Sequence, residues 1–383
     1  STSTCGSASC DQGGASGTAG NITITTSIYA NTNGNLTFQA DGAIIVRAGV
    51  NIWLNTSSSA SYTKSTGAGS LYMGGAGIAN ITSSNWNGVC ANCYALANST
   101  NSYVGVDLGV NNGSNNASAG AVEIIAGGDV VIAGKNTTSG GYAGIGLYSG
   151  SKVWGQNVSF YGISSVGVGM QLSWGSSATI DLRSTSTTGK ILIAGESGYV
   201  DTGTSGYGAY INGSKLYAPT VEIVGRNTNS GCTTNIACAG ISLGWYSQPL
   251  QTTNIYTNYL KLTSDKIVLG ASPVQVALCN GNCAASGTSF GIDFSSYSAS
   301  SAMTFYYPST SSNTMAVLGD NYDTYLKLPA VGTTLSAYKY SQNADLTISS
   351  ALSVAGSISI SGSAISLGAG LTSTSNTGTI TLN

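Results

Sequence analysis

The stretch AGGDVVIAGKNTTSGGYAGIGLYSGSKVWGQNVSFYG at 126–162 holds one full turn of a repeat. VVIAG (130–134) opens it, AGIGLY (143–148) and SKVWG (151–155) follow, and VSFYG (158–162) opens the next turn. The opening motif returns as ILIAG (191–195) and VEIVG (221–225), so that Gly134, Gly162, Gly195 and Gly225 close successive copies at nearly even spacing. The second motif returns as VGMQLSW (168–174), YGAYING (207–213) and AGISLGW (239–245), the third as SATIDL (177–182), SKLYA (214–218) and TNIYT (253–257). Three short strands at a period of about 30 predict a β-solenoid. The expected fold is all-β, a right-handed parallel β-helix, because parallel crossovers wind right-handed. Such a fold presents long surfaces rather than one closed pocket.

Within each motif alternate residues point to opposite faces. Val221 and Ile223 are expected inside and Glu222 outside; Ile180 and Leu182 inside and Asp181 outside. Third motif leads to next first motif by the same short step at Ile125–Val130, Val153–Val158, Leu216–Val221 and Ile255–Leu260. A constant step predicts a constant tight corner. From Ile180 to Ile191 the step is about twice as long, which predicts a protruding loop near Ser184–Gly189. Glycines at strand ends are expected to supply positive-φ corners.

Composition narrows the function. Of 383 residues only 7% are charged, against roughly 25% in an ordinary globular chain. The net charge is −2, so neither nucleic acid nor an anionic membrane is an expected partner. Histidine is absent, which removes the commonest general base and metal ligand. No cofactor is expected. Hydrophobic residues make up 42% and recur in period two, which argues against disorder. No apolar run approaches the roughly 18 residues of a membrane helix. With Ser at position 1, the expectation is a chain from which a leader was cut.

The eight cysteines form four close pairs: Cys5/Cys10, Cys90/Cys93, Cys232/Cys238 and Cys279/Cys283. The last three precede VGVDL (104–108), AGISL (239–243) and FGIDF (290–294), all taken as second-motif strands. Even pairing implies local disulfides in an oxidising, extracellular setting. A zinc site would need converging pairs or histidines, and a thioredoxin-type site a βαβ context.

Four segments follow: an N-terminal Cys-containing part at 1–20, coils at 21–294, an irregular coil or small β insertion at 295–345, and terminal coils at 346–383. GNLTFQADGAIIVRAG (34–49) and the 126–162 stretch resemble the repeats of filamentous-haemagglutinin-like adhesins, which are secreted β-helical proteins. That resemblance implies a β-helix and a cell-surface or secreted location. The family's secretion-domain motifs are absent from this chain.

Candidate sites are sparse. Asp181 with Arg183 and Asp320 with Asp323 are the local acid groupings that a carbohydrate-active β-helix enzyme would use, and Asp320–Asp323 could also meet Ca²⁺. A surface ion pair and a plain turn are the simpler readings. Trp154, Trp174 and Trp245 lie where they could stack on sugars, pack between subunits or fill the core. Sequons stand at Asn21, Asn35, Asn55, Asn80, Asn98, Asn112, Asn116, Asn136, Asn157 and Asn212, each a candidate glycan acceptor. Asn21-Ile22-Thr23-Ile24 and Thr379-Ile380-Thr381-Leu382 are alternating strands at opposite ends, able to continue the coil into a neighbour. The expected function is a non-enzymatic extracellular filament subunit, self-associating head to tail. An adhesin module for surface glycans is the alternative, and a carbohydrate-active enzyme the third.

Overall fold

The computed structural model describes residues 20–30, 33–54, 69–87, 89–90, 92–97, 104–109, 120–138, 142–174, 179–199, 206–229, 231, 239–244, 252–264, 266–269 and 274–278, then 290–295, 304–306, 315–319, 324–327, 337–340, 346–348, 352–354, 357–360, 365–367, 370–373 and 380–382. The fold is a parallel β-helix. Three sheets run its length, and the chain visits them in fixed order. Sheet I begins with Ile22–Ile24, sheet II with Ile28–Ala30 and sheet III with Leu36–Gln39. They hold 9, 12 and 12 strands. Strand pairs join one coil to the next in parallel register, as at Val130↔Val158↔Ile191↔Val221↔Leu260 in sheet III.

The expected alternation holds. Val221 and Ile223 are fully buried while Glu222 lies outward, and Ile180 and Leu182 flank outward Asp181 in the same way. Inward side chains from all three sheets form one continuous core along the axis. Burying each large aliphatic contributes about 1.5–3 kcal/mol.

Register revises two anchors. Ile124, not Ile125, aligns with Val153, and Leu182, not Ile180, aligns with Leu216. The constant short corner therefore holds at Val153–Val158, Leu216–Val221 and Ile255–Leu260. The loop at 185–189 is present, folded on its own hydroxyls: Ser186 N–H donates to Ser184 Oγ, which donates to the Gln156 carbonyl.

The glycines divide into two columns with different causes. Positive φ occurs at Gly49, Gly109, Gly150, Gly213 and Gly244, each following a sheet I strand at the corner toward sheet II. The closing glycines of the repeat, such as Gly195, are not in that conformation. They are small because sheets III and I touch backbone to backbone there: a Cβ on Gly195 would strike the Gly208 carbonyl, and one on Gly162 that of Gly169. The positive-φ expectation for strand-end glycines therefore holds after sheet I strands and not at the closing glycines of sheet III.

Coil length is set by loops, not by the coil itself. Near the C-terminal end Leu346 pairs with Ile365 and Ile358 with Ile380, partners close together in the chain. Near the other end Ile52 pairs with Ile124, so one turn there takes up all of 53–123. The stretch 295–345 is no separate insertion in its described strands: Thr304–Tyr306 joins sheet I, Met315–Gly319 and Ala337–Tyr340 join sheet II, and Thr324–Lys327 joins sheet III. Phe290–Ser295 also pairs in sheet III, so FGIDF is a first-motif strand and the Cys279/Cys283 pair precedes a different sheet than expected.

Candidate functional site

The three outer faces differ, and the difference follows from their outward residues. On sheet III these are apolar at Val131, Ala133, Tyr161, Leu192, Ala194 and Val224. A flap at 75–97 packs into one apolar cluster with them. It leaves after Leu71–Gly74, makes a 3₁₀ turn at Ile78–Asn80, and returns as Ala95–Leu96 to pair with Val130–Asn136. Ile78, Ile81, Trp86, Cys93 and Tyr94 are among its buried side chains, and the Tyr94 hydroxyl donates to the Trp86 carbonyl. Burial and neighbouring Glu196 push the Tyr94 hydroxyl up, and burial pushes Tyr161 up to about 12. Cys90 and Cys93 are disulfide-bonded within the flap. Cys5, Cys10, Cys232, Cys238, Cys279 and Cys283 lie outside the described residues. The covering flap was not anticipated; Trp86 inside a cysteine-bearing interval was its only sequence signal.

The outer face of sheet I is partly closed as well. Asp107 stands in register between Ile45 and Gly146 and is 4% exposed. Its Oδ1 meets no donor among the described residues. Burial alone pushes its carboxyl up to about 7. Beside it, burial and then the Asp107 charge push the Tyr148 hydroxyl up.

Sheet II is different. Its outward side chains among the described residues are mostly charged, aromatic or asparagine, with Ile125 the buried exception. Asp181 and Arg183 meet here in a two-pronged ion pair, 2.8 Å at both contacts. Arg183 also lies 4.7 Å from the Trp154 ring and 4.5 Å from Tyr217, which stacks on Tyr256 at 4.4 Å. Tyr29 and Trp53 form an edge-on pair at 5.3 Å. These side chains stack along the axis, so the Tyr217 and Tyr256 rings cover each other's faces. Asp181 is committed to Arg183, and no group of three acids, cysteines or histidines capable of holding a metal forms among the described residues. Asp320, Asp323 and Trp245 fall outside the described residues. Trp174 belongs to a sheet I strand, Val168–Trp174.

The sequons separate into structural and free ones. At the corner into sheet III a ladder of side chains accepts the backbone N–H of the next coil: Ser70 N–H to Asn35 Oδ1, Asp129 N–H to Ser70 Oγ, Asn157 N–H to Asp129 Oδ1, and Lys190 N–H to Asn157 Oδ1, the longest at 3.1 Å. Asn21 Oδ1 does the same for Ala43 N–H. Asn136 is fully buried and folds the corner out of sheet III through Thr138 N–H, a role its register partner Ser164 repeats with Val166 N–H. Asn212 is 2% exposed. Asn80, on the flap's 3₁₀ turn, is exposed. Asn55, Asn98, Asn112 and Asn116 fall outside the described residues.

The coil ends carry the predicted joint strands, but on different sheets. Ile22–Ile24 is the edge of sheet I, and Ile380–Leu382 the edge of sheet II, with Ile380 and Leu382 each 43% exposed. Thr379 lies outside the described residues. Leu371–Ser373, paired with Leu352–Val354, takes sheet I's place in the chain order at that end. No described strand pairs with the free edges of Ile22–Ile24, Ile28–Ala30 or Leu36–Gln39, or with those of Ile365–Leu367, Leu371–Ser373 or Ile380–Leu382. No described helix is long and apolar enough to cross a membrane. No protein-family model matches the chain, and no curated protein or solved structure matches it.

Proposed function

We propose that this chain is an extracellular, non-enzymatic structural subunit of a surface filament or fibre, assembled head to tail. The carrying observation is the pair of open ends. Each presents one strand edge from each position in the coil order that no described strand pairs with, and open strand edges favour strand addition. The end coils are also short: Ile22 pairs with Ile44 and Ile358 with Ile380, partners closer in the chain than Val130 and Val158 in the middle. Short coils leave little loop to obstruct stacking. In a stacked joint Leu371–Ser373 meets Ile22–Ile24, Ile380–Leu382 meets Ile28–Ala30, and Ile365–Leu367 meets Leu36–Gln39. Such a joint does not close on itself and so propagates. The adhesin-like repeats and paired cysteines support a cell-surface place, and the self-stacked rings on sheet II count against sugar stacking there.

Electron microscopy of the native protein beside its sedimentation profile tests this. Filaments with a regular axial repeat, shortened or lost on Leu382→Lys, are expected. A monodisperse short rod at high concentration would reject the proposal.

A further inference from the structure

The outward residues of sheet II form two files along the axis. The first reads Asn51, Glu123, Lys152, Asp181, Lys215, Asn254 on consecutive coils. The second reads Trp53, Ile125, Trp154, Arg183, Tyr217, Tyr256 on the same coils. The first file has a symmetry that a random surface lacks. Turned end for end, its charges invert: neutral, minus, plus, minus, plus, neutral becomes neutral, plus, minus, plus, minus, neutral.

We infer that the outer face of sheet II is a docking surface for a second copy of this chain, antiparallel about a two-fold axis passing between the Lys152 and Asp181 levels. In that arrangement Lys152 lies at the level of the partner copy's equivalent of Asp181, Glu123 at that of Lys215, and Asn51 at that of Asn254. The second file matches too. Trp154 comes level with the equivalent of Arg183, a cation–π pairing that the chain already makes within itself at 4.7 Å. An isologous contact needs a self-complementary patch, and this face is one. A parallel copy turned about the first file sets like charges against each other at every level, which is unfavourable. The bases are the more reachable partners: the Lys152 and Arg183 side chains are 42% and 41% exposed against 26% for Glu123 and 17% for Asp181, and Lys215 has no ion-pair partner among the described residues.

Six strands about 4.8 Å apart and roughly 15 Å long give a face of about 400 Å² per copy. A stable pair of proteins usually uses about 800 Å² per partner. Single subunits therefore pair weakly and with strong salt dependence, while subunits strung along an axis would pair by repetition. Only that multiplication rests on the filament proposed above; pairing of single subunits stands apart from it.

Sedimentation equilibrium of the full chain at low and high salt tests the pairing, with microscopy where filaments form. Self-association is expected at low salt and is weakened about tenfold or more by high salt. Lys152→Glu and Asp181→Lys should each weaken it about tenfold or more, since each sets like charges at the axis. The double variant carrying both changes should restore it, although the Lys152–Glu123 and Asp181–Arg183 pairs within the chain stay broken. Circular dichroism on all variants confirms that they are folded. Charge reversals without effect, failure of the double variant to restore pairing, or parallel rather than antiparallel bundles would each overturn the inference. Retention on a polysaccharide through these residues, without self-association, would replace it with a ligand face. A chain that forms no filaments yet pairs with this pattern refutes the filament alone.

Discussion

Sheets II and III are built by the same rule, yet one outer face is bare and the other covered. Both alternate inward aliphatics with outward residues, and both stack in parallel register. On sheet III outward Ala133, Tyr161, Leu192, Ala194 and Val224 cluster with side chains of the 75–97 flap, while Lys190, Glu196, Glu222, Arg226 and Lys261 on the same face form ion pairs. The outward residues of sheet II are Lys, Asp, Glu, Arg, Asn and amphipathic rings, which need no cover, with buried Ile125 the one aliphatic from Asn51 to Tyr256. On a solenoid the core is set by the inward file, so the outward file is free to decide what each side meets. The flap is part of the chain's own answer on one side. On sheet II the alternating charges leave the place open for another copy.

The contrast is broken most severely by emptying the flap. Trp86→Ala removes a nearly buried ring and should cost about 3–5 kcal/mol, read as faster hydrogen exchange across 75–97 and a lower melting temperature. The matching Trp154→Ala on sheet II should cost less, about 1–2 kcal/mol, because that ring is only half-buried and stands against Arg183 at the surface. Equal losses would mean that the two faces do not differ.

Charge supplies the next test. Asp107 under sheet I has a folded pKa raised to about 7 by burial, above its unfolded value. Its contribution therefore favours folding most below the unfolded pKa, and stability falls as pH rises toward about 7. Glu222 on sheet III runs the other way. Burial pushes its carboxyl up, but the hydrogen bonds and charges of Lys190 and Lys261 outweigh this and leave it below the ordinary value. Its contribution is present above the unfolded pKa and is lost as pH falls through the folded one. Asp107→Asn should raise the melting temperature at pH about 8 and flatten the decline that runs from acid pH up to about 7; Glu222→Gln should flatten the loss of stability on acidification.

Asn157→Ala leaves the Lys190 N–H without its acceptor, and about 1–3 kcal/mol should be lost in chemical unfolding. Asn80→Ala, exposed on the flap, should stay within about 0.5 kcal/mol. Mass spectrometry of the native protein should find any asparagine-linked glycan at Asn80 before Asn35, Asn136 or Asn157, whose amides serve the coil. Lys152→Ala should be comparably mild. Its 2.6 Å contact to Glu123 is half in water, so monomer stability should change by less than about 0.5 kcal/mol.

The coil itself was legible because its cause is local. A period-two alternation closed by glycine states which side chains turn inward, and VVIAG, VSFYG, ILIAG and VEIVG align in the structure as they do in the sequence. Less was legible where neighbours set the outcome. Ile125 and Ile180 looked like anchors because they too are apolar, but register is chosen by the coils on either side. The closing glycines were recognised without their reason, since close approach of sheets III and I is not a local property. Among sequons the motif is identical at Asn80 and Asn157, and only the N–H waiting one coil away distinguishes them.

By itself the sequence determined a three-stranded parallel coil, its inward file and its scarcity of catalytic groups, because alternation and composition act residue by residue. Tertiary structure decided the rest. It brought Leu71 beside Val130 although the whole flap lies between them in the chain, laid that flap over sheet III and aligned the charges of sheet II into an alternating file. Those outcomes depend on which coils become neighbours, and that is settled only when the whole stack buries its core together.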